Sequence, residues 1–214
     1  MHRRTALTVS AALLAAAPLL TACGSDAHPG AAAVVGGERI EVSSLQAQVA
    51  DVRAAQAASP QSAQLVAATG DLSRRKLNVM IFDRVVDRVA RDQGVTATRA
   101  ELQQTRASFV RQAGGEDQLA AVLLQEQGVA PDQIDAFVRR NVLMNKIATK
   151  LGANDDAAGQ KKLTDVFSAA SKALAVDVNP RFGRWDDAQV RLSDTTTPWL
   201  RQISQDPAAV PGVA

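Results

Sequence analysis

The chain has 214 residues, 46% of them hydrophobic, which is enough for a buried core and too much for bulk disorder. Aromatic residues make up only 3%, with no Tyr, which argues against a stacking site for bases or sugars. The formal charge of +2 comes from Arg3 and Arg4, because residues 1–22 hold no acid; without them basic and acidic residues balance, and net charge recruits no nucleic acid.

His2-Arg3-Arg4 is a short positive segment, followed by an apolar stretch that ends in an unbroken run over residues 11–20. That run is too short to span a bilayer, and Pro18 interrupts it. Residues 1–22 therefore read as a secretory signal peptide. Leu20, Thr21, Ala22 and Cys23 resemble a bacterial lipobox. In such a motif the Cys thiol takes a diacylglyceryl group and becomes the new N-terminus, and two or more acyl chains make the anchor stable. The rival reading is a chance cysteine after an ordinary signal peptide. Against it, Cys23 is the only cysteine, and an unpaired thiol in an exported protein wants an explanation. The expectation is a chain held to the cell membrane on its extracytoplasmic face by lipid at Cys23. Residues 23–31, rich in Gly, Ser, Ala and Pro, read as a flexible tether, with His28 as a spacer residue.

The folded part is expected over residues 32–193, with a loose polar tail over 194–214. It opens on two short strands around Gly36-Gly37, the second alternating Arg39-Ile40-Glu41-Val42. Ser43 and Gln46 have capping-box spacing before a helix over about 44–58, which Pro60 stops. A polar, Ala-rich connection leads to Asp71, an N-cap for a long second helix to about Gln93. Leu77, Ile81, Val85 and Val89 form its apolar stripe, and Arg84/Asp87, Asp87/Arg91 and Arg88/Asp92 have ion-pair spacing on its other face. Thr98 and Glu101 form a second capping box, opening a helix to about Gln112. A fourth helix is expected over 116–127, carrying Leu119, Val122, Leu123 and Leu124, and a fifth from Pro131 to about Leu151. Asn154 and Asp155 cap a sixth to about Lys172, and residues 174–178 alternate like a strand. The simplest arrangement is mainly α: a single domain of about six helices, closed by a small β-sheet that pairs the N- and C-terminal strands.

Chemistry is scarce. The folded part has no His and no Cys, which removes the usual general base, the thiolate nucleophile and the two best zinc ligands. No metal or cofactor is expected. Ser73-Arg74-Arg75-Lys76 matches S-x-x-K, but the companion Ser-Asp-Asn and Lys-Thr-Gly motifs of penicillin-binding enzymes are absent, so Ser73 reads as a first-turn polar residue. Arg74-Arg75-Lys76 suits anionic lipid headgroups, yet reads more simply as a solvated helix start. The acid pairs Glu116-Asp117, Asp155-Asp156 and Asp186-Asp187 are adjacent in sequence, and neighbours on a helix do not face one another, so they make poor acid/base dyads.

Two stretches carry a family likeness. Val34-Val35-Gly36-Gly37-Glu38-Arg39-Ile40, several helices, and then Asn179, Pro180, Arg181, Phe182, Gly183, Arg184, Trp185 and Asp186 resemble the SurA N-terminal domain family of extracytoplasmic chaperones. They are also similar to PrsA-type foldase lipoproteins. The resemblance implies paired terminal strands and a helical cradle for unfolded exported polypeptides. It implies a structural role for Asn179, Pro180, Arg181, Phe182, Gly183 and Trp185. Many members insert a parvulin prolyl-isomerase domain before the last helix; here Leu151-Gly152-Ala153-Asn154 is only a loop, so isomerase activity is not implied. The functional expectation is a lipid-anchored protein with chaperone-like binding and no catalysis. The alternative is a scaffold lipoprotein that holds one specific envelope partner.

Overall fold

A computed structural model of the chain describes residues 29–193. Strand β1 (Ala31–Val35) turns at Gly36-Gly37 into β2 (Glu38–Glu41), and the two pair antiparallel with a bulge between Ala31 and Ala33. Gly36 sits at φ 59°, donates its N–H to the Leu174 carbonyl at 2.6 Å, and would bring a side-chain carbon to 2.8 Å from Leu174. Only glycine fits there without strain.

The helices follow as α1 (Val42–Ala58), α2 (Ser62–Ala67), α3 (Leu72–Asp92), α4 (Arg99–Ala113), α5 (Glu116–Gln127), α6 (Ile134–Leu151) and α7 (Ala157–Leu174). A 3-10 turn, Pro131–Gln133, leads into α6. Seven α-helices therefore stand among the described residues where about six were expected, the addition being α2. Its six residues are fixed from outside. Arg53 on α1 donates to the Thr69 hydroxyl at 2.7 Å and to the Thr69 carbonyl at 2.8 Å, beside the fully buried Gln56.

After α7 come β3 (Asp177–Val178), a 3-10 turn (Pro180–Phe182), and the hairpin β4 (Arg184–Asp186) with β5 (Arg191–Ser193). The sheet order is β2-β1-β3, with Ala33 opposite Val178. The early and late strands thus pair as expected, while the β4–β5 hairpin is additional.

Local expectations differ in three places. Ser43 does not cap α1, which starts at Val42 in direct continuation of β2. Asp71 makes no side-chain cap to α3 but pairs with Arg75 at 2.9 Å. Asp156, rather than Asn154 or Asp155, caps α7 by accepting from the Gly159 N–H at 2.7 Å.

The main core lies between the sheet and one face each of α1, α3, α6 and α7, and includes Ile81, Val85, Leu143, Ile147 and Phe167. A second core, with Leu119, Leu123, Ile134 and Val138, joins α4, α5 and the first half of α6. A third, smaller core gathers Val52, Leu65, Leu72 and Leu124. The α4–α5–α6 lobe therefore packs partly on itself, and joins the main body through α6 and through Leu124 of α5.

Candidate functional site

Leu20, Thr21, Ala22 and Cys23 lie outside the described residues. The Asn179–Trp185 stretch forms a joint between the sheet and the helices. The Asn179 side chain accepts from the Arg181 N–H at 3.2 Å and donates to the Ala31 carbonyl at 3.2 Å. Pro180 opens the 3-10 turn, and the Arg181 guanidinium lies 4.4 Å from the centre of the Phe182 ring. Gly183, at φ 121°, would put a side-chain carbon 2.6 Å from the Ser193 carbonyl. Phe182 and Trp185 are both buried in the main core, and the Trp185 indole N–H donates to the buried Ser171 hydroxyl at 2.7 Å. Ser171 in turn donates to Asp187.

The acid pairs separate. Asp156 is a cap, Asp186 accepts from the Ala188 and Gln189 N–H groups at 2.9 and 3.0 Å, and Asp187 takes Ser171. Ser73 is exposed, while Lys76 turns inward, 6% exposed, and donates to Gln133. The S-x-x-K spacing therefore brings no amine to the hydroxyl. Gln133 donates to the Gln48 carbonyl at 2.9 Å, so α1, α3 and the turn before α6 meet at one buried amide. Burial lowers the Lys76 ammonium to about 8; Arg140 pulls the same way, and Asp51 and Asp83 oppose it. Burial also pushes the Asp83 carboxyl up, against the pull of Arg140 at 3.0 Å. Asp87 pairs with Arg139 at 2.7 Å. These two pairs stitch α3 to α6, where sequence spacing had suggested pairs within α3; of those only Arg88–Asp92, at 2.8 Å, is present.

Helix α4 has no fully buried residue, and its Leu102, Phe109 and Val110 are half-buried against the second core. Its start is well fixed. Thr98 and Glu101 form the expected capping box, and Lys146 from α6 also donates to Glu101. That hydrogen bond, with those from the Thr98 N–H and hydroxyl, holds the Glu101 carboxyl down at about 2. Arg106 bridges Glu116 of α5, at 3.1 Å, and Asp135 of α6. Between α4 and α6 lies a cleft of about 420 Å³ with Leu102 and Val138 on its floor and Arg99, Gln103, Arg106 and Asp135 around it. An apolar strip between amide and guanidinium groups can seat a side chain and hydrogen-bond the backbone that carries it. Sequence periodicity finds Leu102 and Val138; Gln103 and Arg106 carry no sequence signal, because their place depends on how α4 meets α6. Val122 of α5 is 41% exposed, and Val66 of α2 is 44% exposed.

Among the described residues no cluster of three or more His, Cys, Asp or Glu side chains could hold a metal ion, and no helix is long and apolar enough to cross a membrane. Acids tied up in caps and ion pairs, beside clefts of mixed polarity, are the build of a helical binding module. A family model described as the SurA-like N-terminal domain matches residues 2–148, and the chain belongs to that family. Membership brings a chaperone-like, polypeptide-binding character. The matched span stops inside α6, so α7, β3 and the Asn179–Trp185 joint lie beyond it. No curated protein and no solved structure matches this chain.

Proposed function

We propose that this protein is a non-enzymatic lipoprotein, anchored through Cys23 on the extracytoplasmic face of the membrane, that holds non-native exported polypeptides. The observation that carries the reading is the open cleft between α4 and α6, where half-buried Leu102 and buried Val138 meet. Such a surface takes apolar side chains with little sequence selectivity. Family membership supports a polypeptide as occupant. The alternative, a scaffold for a single envelope partner, is favoured by a different fact: Val66 and Val122 are the large apolar side chains that stand out as exposed.

A photo-crosslinker placed at exposed Gln103, on the cleft, is expected to capture several unrelated denatured clients. The same probe at Gln160 on α7 is expected to capture few. Equal labelling from both positions would remove the cleft from the account, and capture of one stoichiometric partner alone would select the scaffold.

A further inference from the structure

We infer that the face carrying Arg181, Arg184 and Arg191, flanked by Arg74 and Arg75, docks on an anionic lipid surface. The inference rests on the reading that the chain is tethered to a membrane, and adds to it which side of the domain faces the lipid.

Three segments far apart in sequence build this face. The Arg74 Nε–H donates to the Phe182 carbonyl at 3.0 Å, which sets the first turn of α3 beside the 3-10 turn. Arg74, Arg75 and Arg191 border one cleft of about 500 Å³. In the hairpin, Arg184 stands opposite Ser193 and Asp186 opposite Arg191, so these four share one side of the β4–β5 ribbon. Trp185 and Leu192 occupy the other side and pack into the core. Arg184 and Arg191 are therefore held outward, and both are exposed.

Acids stand beside them too, Asp71 and Glu126 on that cleft and Asp186 and Asp187 in the hairpin, but three of these have closer partners. Asp71 is engaged with Arg75, Asp186 with two backbone N–H groups, and Asp187 with Ser171. Arg181, Arg184 and Arg191 have no carboxylate partner among the described residues. These three are arginines, whose planar fork matches phosphate oxygens in a bidentate fashion.

The entry point of the chain lies at the same end. The Ala31 and Ala32 carbonyls accept from the Asn179 side chain and backbone, two residues before Arg181. From Cys23 to Ala31 the chain reaches at most about 28 Å when extended. A tether of that length keeps the entry end of the domain near the lipid, where surface charge acts only within about 10 Å.

The test uses the chain from Gly24 onward, which carries the whole described fold and lacks Cys23. It is co-sedimented with phosphatidylglycerol vesicles and with phosphatidylcholine vesicles. Binding to the anionic vesicles alone is expected, lost at high salt. Arg181→Gln with Arg184→Gln and Arg191→Gln is expected to weaken it by roughly tenfold or more, with unchanged thermal unfolding. Should the triple variant unfold, Arg184→Gln with Arg191→Gln serves, since neither side chain has a hydrogen-bond or ion-pair partner among the described residues. A control, Arg111→Gln on α4 with Lys150→Gln on α6, is expected to bind as the parent. Equal binding to both vesicle types, or equal loss in the control, would overturn the inference. Palmitate labelling of the full chain, with Cys23→Ala as its blank, reads the anchor separately, so either idea can fail alone.

Discussion

Replacing Trp185 with alanine is expected to lower the unfolding free energy by about 3–5 kcal/mol. The indole is 8% exposed and lies in the main core with Phe182, Val178 and Leu174. Removing it leaves a cavity where β4 meets the helices and strips the Ser171 hydroxyl of its indole donor. Trp185→Phe separates the two contributions. It keeps the six-membered ring and loses the hydrogen bond and the pyrrole edge, so a smaller loss of about 1–2 kcal/mol is expected. Urea unfolding followed by circular dichroism measures both. Far-ultraviolet ellipticity is the better probe, because Trp185 is one of only two tryptophans and its removal alters fluorescence directly. Wild-type stability in Trp185→Ala would mean that the segment after α7 is not part of the cooperative unit. The result therefore bears on how far the domain extends beyond the span that the family model matches, 2–148.

The second large effect is a pH dependence at Lys76. Its folded value, about 8, lies below its ordinary value of 10.5. Between those values the unfolded chain binds the proton that the folded chain has released, so the free energy of unfolding rises with pH. The ammonium faces Asp51 on α1, Arg75 and Asp83 on α3, and Arg140 on α6; desolvation, with Arg140 and Arg75 on its side, outweighs the two carboxylates. Over the full window the gain is up to about 3 kcal/mol. No tyrosine titrates in this range, which keeps the window clean. Lys76→Met is expected to abolish the rise while leaving stability at pH 7 equal or slightly higher, because a buried charge is exchanged for an apolar chain of similar length. Urea unfolding midpoints between pH 7 and about 10.5 measure it. The same slope in variant and parent would show that the ammonium is hydrated in the fold.

These two residues also mark where the sequence is legible. Trp185 and Phe182 sit in a short motif that resembles a known family, and their aromatic character suits a core position. Lys76 gives no such sign. In sequence it is the last member of a basic run, and only the packing of α1 and the Pro131–Gln133 turn over α3 buries it. The same contrast runs through the elements. The bounds of α5 and the capping box of α4 follow from local chemistry: flanking glycines in one case, Thr98 with Glu101 in the other. Helix α2 and the β4–β5 hairpin do not. The first depends on Arg53 reaching Thr69 across the chain. The second turns through Val190 at φ 50°, where a glycine or asparagine would have announced the bend.

The candidate site divides along the same line. Apolar periodicity identifies the floor residues Leu102 and Val138, but Arg106, which bridges α5 and α6 at the cleft's edge, carries no such sign. Its ion pairs run between elements, as do Asp83–Arg140 and Asp87–Arg139, and spacing within one helix cannot disclose them.

The central claim, that this domain holds non-native polypeptides without chemical turnover, is tested most directly by light scattering. A chemically denatured client is diluted into buffer with increasing amounts of the chain from Gly24 onward. The account predicts that scattering falls with concentration, needs no nucleotide, and recovers when Leu102→Asp is used in place of the parent. Undiminished client aggregation at a molar excess of folded protein would contradict it.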